Sequence, residues 1–190
     1  IKRFLKRNQI TIRAVQDISF TIKRGSIVGF IGSNGAGKST TIKMLTGTLY
    51  PSSGKLEVNG EIPFKRSINF RKKISIVVGN KLQLFQDVSA MDYFQLIGTL
   101  YEVEPAILQE RIQELSNLLN VKDQLYQQVR TLSLGQKMKM EFIAASLTSP
   151  EILFLDEPTI GLDIQSKKDI RTFLKKMNEE CHTTIILTSH

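Results

Sequence analysis

A single cysteine, Cys181, and no tryptophan stand in a chain of 190 residues. One cysteine excludes an intrachain disulfide and fits a reducing compartment. No apolar run approaches the ~20 residues that a membrane-spanning helix needs. There is no internal repeat and no low-complexity tract. Acidic residues are the minority: 18 against 26 basic ones, a net charge of +8. That balance suits a polyanionic partner (a nucleotide, a nucleic acid or an anionic membrane face) or simply a solvated basic surface. The basic residues fall in separate groups at Lys2, Arg3, Lys6 and Arg7, at 71–73, and at Lys167, Lys168, Arg171, Lys175 and Lys176. Aromatic residues do not interleave with them, so no base-stacking platform is marked and no specific nucleic acid is expected. With 41% hydrophobic residues the chain can bury a core, and its length predicts one domain with room for an inserted lobe.

What is present centres on one stretch: Gly32, Ser33, Asn34, Gly35, Ala36, Gly37, Lys38, Ser39 and Thr40. Two glycines five apart followed by Lys and Ser fit a phosphate-cradling loop. The apolar segment 26–31 before it predicts a buried strand, and 41–49 after it a helix with Ile42, Leu45 and Leu49 on one face. Glycines let successive N–H groups turn inward, and the helix N-terminus adds partial positive charge. Lys38 is expected to reach the β- and γ-phosphates of a nucleotide and Ser39 to bind Mg²⁺.

The remainder alternates between strands and helices, with one interruption. Residues 10–22, where Ile18, Phe20 and Ile22 alternate with polar neighbours, predict an antiparallel strand with one wet face. Short strands are expected at 56–58, before the Asn59-Gly60 turn, and at 74–78. After residue 82 apolar residues recur at helical spacing, first at Tyr93, Phe94, Ile97, Leu100 and Tyr101. A second set, at Ile107, Leu108, Ile112, Leu115, Leu118 and Leu119, follows Pro105. The block 83–147 therefore reads as an inserted helical lobe between core segments 1–82 and 148–190. A buried strand at 151–155, an amphipathic helix at 164–177 and a last strand at 183–188 resume the alternation. This is an α/β pattern with a mostly parallel sheet and right-handed crossovers. At the end of the 151–155 strand stand Asp156 and Glu157. Carboxylates at the C-terminal end of a parallel strand lie where open α/β sheets bind ligands. Asp156 is the expected Mg²⁺ partner beside Ser39, and Glu157 the candidate to orient or deprotonate the attacking water.

Leu132-Ser133-Leu134-Gly135-Gln136, just before a helix expected at 137–147 and upstream of Asp156-Glu157, adds a more specific mark. With it, nearly the whole chain resembles the nucleotide-binding domain of ATP-binding cassette (ABC) transporters. The pieces IGSNGAGKST, TLSLGQ and LFLDEPTIGLD look most similar to ATPase subunits of bacterial ABC-2 type export systems. The resemblance implies a P-loop NTPase (RecA-like) core, an N-terminal antiparallel β-subdomain and an inserted helical lobe, with ATP and Mg²⁺ as ligands. It also implies a head-to-tail dimer, homo- or heteromeric, in which Leu132–Gln136 hold the γ-phosphate of the nucleotide on the other subunit.

Physically, Ser133 is a natural N-cap and the N–H groups near Gly135 face outward with a helix dipole behind them. Two departures from the family pattern stand out. Leu134 replaces a usual glycine, so an ordinary backbone is expected there, with its side chain against the lobe. Asn80 occupies the place of a usual glutamine, one methylene shorter; it contacts Mg²⁺ or water, Gln83 substitutes for it, or both are plain loop amides. The resemblance further implies that Asp163 faces the partner subunit and that His190 bonds the γ-phosphate. Phe4 either stacks on adenine or anchors the N-terminal segment by apolar contact. The family usually continues some tens of residues past the position of His190, so a C-terminally truncated domain is expected. The implied work is ATP-driven closing and opening of the dimer, with Glu157, His190 and Lys38 as the catalytic groups. Motion would pass to separate membrane-spanning permease subunits through the lobe and the 80–86 loop, from the cytoplasmic face of the membrane. The alternative is a soluble cassette ATPase acting on ribosomes or nucleic acid.

Overall fold

The computed structural model describes residues 13–189. In chain order the elements are β1 (Ile27–Ile31), α1 (Lys38–Leu45), α2 (Ile68–Lys73), β2 (Ile74–Val78), α3 (Ala90–Leu100), α4 (Pro105–Leu118), α5 (Leu134–Ser146), β3 (Ile152–Asp156), α6 (Ile164–Cys181) and β4 (Thr184–Ser189). The aliphatic runs form one sheet in the order β1-β4-β3-β2, parallel throughout. Central β3 buries Leu153, Phe154 and Leu155 completely, which is why it reads as a continuous apolar run. The register sets Asp156 opposite both Thr188 and Val78, and Ile31 opposite Ser189. All four strands therefore end at one level, and the loops that follow them share one edge.

β1 is an edge strand among the described residues, and its Ile27 and Ile31 are exposed. This corrects the expectation of a buried strand at 26–31. The strand expected at 10–22 also needs correction over its described part, from residue 13 on. Ile18, Phe20 and Ile22 form no strand, and the 56–58 segment contributes a single antiparallel bridge, Val58 to Glu61, across the Asn59-Gly60 turn. Alternation reports one wet face, but a strand also needs a partner backbone, and no strand among the described residues supplies one. Ile22 and Leu56 instead pack, half-buried, on an apolar cluster with Ile42, Leu45, Phe70 and Phe154.

Helix boundaries shift for identifiable reasons. α1 starts at Lys38, directly after the loop, and Leu49 lies beyond it, exposed. α2 was not legible as a periodic stretch because it is only six residues long, capped by Ser67. Asp92 completes a capping box with Ser89 at α3, and Glu104 with Pro105 opens α4. α5 is the hub: it packs on α3, α4, α6 and β2. Met138, Met140, Phe142 and Ile143 on it are fully buried, and Lys139 and Glu141 are buried beside them, so most of its circumference faces the interior. Phe142 meets Phe173 of α6 edge-on at 5.7 Å. Burying each such ring contributes about 1.5–3 kcal/mol. One apolar core runs from the sheet through α5 into α3 and α4.

Candidate functional site

The chain leaves β1 at Ile31 and turns through 32–37 into α1. Gly37 has φ of 85° and caps α1; a Cβ there would meet the Ala14 carbonyl, and Val15 Cγ2 at 2.8 Å. Glycine is required at this point by both its dihedral and its space. Lys38 is the first residue of α1, and its Nζ folds back to donate to the carbonyls of Gly32 (2.6 Å) and Ser33 (2.9 Å). Its ammonium is thereby held over the loop. Asn34, Gly35, Ala36, Gly37, Lys38, Ser39 and Thr40 line one cleft together with Ala14 and Glu157. A cation and the unpaired first N–H groups of a helix around a small cleft make an anion site suited to phosphate.

Ser39 Oγ donates to Asp156 Oδ1 at 2.9 Å, joining the loop after β1 to the end of β3. Thr188 Oγ1 on β4 donates to the same oxygen at 2.7 Å and accepts the Glu157 N–H at 3.0 Å. Thr188 is fully buried. Glu157 itself has φ of 51°, left-handed for a residue with a side chain, and its carbonyl lies against Gly79. The turn after β3 is thus held in a sparsely populated conformation by its neighbours, a pattern associated with functional sites. Among the described residues no group of three or more His, Cys, Asp or Glu could hold a metal ion. Ser39 and Asp156 still fit Mg²⁺, which binds through one or two carboxylates together with phosphate oxygens and water.

The expected residues 132–136, Asn80, Gln83 and Asp163 do not line this cleft. Ser133 caps α5 in a reciprocal box with Gln136, accepting its N–H at 3.2 Å. Leu134 is the first residue of α5, with no positive φ. Its side chain is half-exposed, and its Cδ2 approaches Gly161. α5 begins three residues earlier than the expected 137. Gly135 abuts Asp163 and Ser166 so closely that a Cβ would collide with Ser166 Oγ. Leu132 is buried. Asp163 caps α6: Ser166 Oγ donates to Oδ2 at 2.6 Å and the Ser166 N–H to Oδ1 at 2.8 Å. These bonds, the hydroxyl first, hold the carboxyl below its ordinary pKa.

Asn80 is exposed in the turn after β2. Gln83 Nε2 donates to the Ile76 carbonyl at 2.9 Å. Phe4 and His190 lie outside the described residues. Sequence reading missed two residues of consequence. Thr188 sits two positions before His190 in the same LTSH stretch, which was its available signal. Glu141, buried on α5, left none, because its partners are backbone N–H groups.

A family profile described as ABC transporter matches residues 15–160. The ABC transporter ATP-binding protein NatA of Bacillus subtilis (strain 168) is 33% identical over 189 residues, all of this chain and 76% of that protein. The linearmycin resistance ATP-binding protein LnrL of the same organism is 34% identical over 176 residues, 93% of this chain; the chain spans only 56% of LnrL. A solved structure of the ATP binding subunit of an ABC transporter superposes with a TM-score of 0.81 at 28% identity, covering 93% of this chain and 73% of that one.

Proposed function

The chain belongs to the ABC transporter family, and we propose that it is the ATP-binding and ATP-hydrolysing subunit that powers a transporter of the ABC-2 export type. The observation that carries this reading is the Ser39–Asp156 hydrogen bond, with Glu157 lining the same cleft as the phosphate loop. The resistance role in the name of LnrL supports export. No described helix is long and apolar enough to cross a membrane, so in this reading the pathway is formed by separate permease subunits and the chain sits at the cytoplasmic membrane face.

Catalysis here is positioning and electrostatics. Lys38 neutralises phosphate charge at the start of α1. Ser39 and Asp156 would hold Mg²⁺, which would supply neutralisation of the charge on the phosphoryl groups. Glu157 orients the attacking water and takes its proton. The N-terminus of α5, with Ser133 and Gly135, presents N–H groups to a nucleotide on a second subunit, so each chain carries two half-sites and works as a dimer. Asp163 at that same corner faces the partner, and His190, immediately after β4, bonds the γ-phosphate. The 83–147 block is the inserted lobe that relays the motion.

The test is phosphate release from MgATP by the full-length protein, beside Lys38→Ala and Glu157→Gln. Release by the wild type and loss in both variants is expected. Equal release from all three would refute the assignment. Copurification of a polytopic membrane protein from native cells tests the permease partner, and recovery with ribosomes or nucleic acid would favour the soluble alternative.

A further inference from the structure

Glu141 stands on α5 eight residues, about two turns, beyond the Ser133 cap. It is 4% exposed, a rare place for a carboxylate. Its Oε1 accepts the backbone N–H of Leu84 at 2.8 Å and that of Gln83 as well. Burial pushes its pKa up while those two bonds pull it down. The Tyr93 phenol of α3 is pushed up by its own burial and then by the charge of Glu141. A buried carboxylate is costly unless its lone pairs are answered, and here the answer comes from main-chain donors of one loop.

That loop, which follows β2, is fixed at its other end too. The Gly79 N–H donates to the Asp156 carbonyl at 2.8 Å, and a Cβ at Gly79 would overlap the Glu157 carbonyl. Between the two anchor points lie only Asn80, Lys81 and Leu82. We infer that Glu141 is a positioning residue, whose carboxylate ties the loop after β2 to the helix that begins at Ser133-Leu134-Gly135. Loop and helix then move as one body, so a displacement of the α5 N-terminus reaches Asn80 and, through Gly79, the Asp156–Glu157 edge. The consequence for turnover rests on the ATPase reading above; the tie itself does not.

Both are tested on the full-length protein by amide hydrogen exchange at Gln83 and Leu84, MgADP affinity and steady-state ATP hydrolysis. Glu141→Ala strands two N–H groups: both amides lose protection, kcat falls on the order of ten- to a hundredfold, and MgADP affinity and protection in α1 stay as in wild type. Glu141→Gln keeps an acceptor oxygen and restores amide protection and most of kcat, which a merely space-filling role would not require. Wild-type protection at Gln83 and Leu84 in Glu141→Ala would overturn the inference. So would a uniform loss of protection extending to α1 in both variants, or wild-type kcat with the two amides released. If the wild type hydrolyses no ATP, the functional reading fails while exchange at Gln83 and Leu84 still decides the tie.

Discussion

Thr188 Oγ1 donates to Asp156 Oδ1 at 2.7 Å across the β3–β4 register, and in accepting the Glu157 N–H the same hydroxyl holds two consecutive acidic residues at once. Thr188→Val keeps the shape and removes both bonds. The stranded Glu157 N–H costs about 1–3 kcal/mol. A lower urea midpoint and a reduced rate of phosphate release, with MgADP affinity retained, are expected; an unchanged rate would show that Thr188 does not orient the pair.

Glu157→Gln keeps the size of the side chain and removes the proton acceptor. Turnover should fall on the order of a hundredfold or more, while ATP binding survives and the protein accumulates as a dimer with ATP in size-exclusion chromatography. Wild-type turnover in this variant would remove Glu157 from the chemistry.

Lys139 Nζ meets Asp169 Oδ2 at 2.6 Å, with both side chains 9% exposed, and joins α5 to α6. Gln165 Nε2 is the carboxylate's other partner, at 2.7 Å. Lys139→Met strands a buried carboxylate and should cost about 3–5 kcal/mol in chemical denaturation, whereas Lys139→Met combined with Asp169→Leu should recover much of it. A single variant as stable as the wild type would mean that the pair is not effectively buried.

Asp163 yields a pH dependence. Its carboxyl is held below the ordinary aspartate value of 3.8 by the Ser166 hydroxyl and N–H. The folded state therefore favours the ionised form. The stabilisation is fully present above that ordinary value and is lost as pH falls through the depressed one. The urea midpoint of the wild type should exceed that of Asp163→Asn near neutrality, and the gap should close in acid. A gap independent of pH would assign the effect to shape instead of charge.

Much of the site was legible because it is local in sequence. The phosphate loop, the strand before it and the helix after it are contiguous, so spacing alone predicts a cradle with Lys38 and Ser39 at its rim. The apolar segments 151–155 and 183–188 predict strands because the central parallel strands β3 and β4 are buried on both faces. β1 misled in one respect: it has the same aliphatic composition, but at its edge position Ile27 and Ile31 are exposed, whereas β2, at the other edge, buries Ile74 and Val77. Ile18, Phe20 and Ile22 misled because alternation does not supply a partner. Leu134 took the ordinary backbone expected of it, yet its side chain lies toward Gly161, a contact 27 residues away that no local pattern contains.

The sequence alone therefore determined the α/β alternation, the phosphate loop and the acidic pair at the end of a strand, since each depends on neighbours within a few residues. Only the tertiary structure decided the strand order, the meeting of Ser39, Asp156 and Thr188, and the hold of Glu141 on Gln83 and Leu84. Those contacts join residues 32 to 117 positions apart, with Glu141 reaching back 57 and 58. They exist because parallel strands bring their C-terminal ends to one level, where distant loops must share hydrogen bonds that no single stretch of chain can complete.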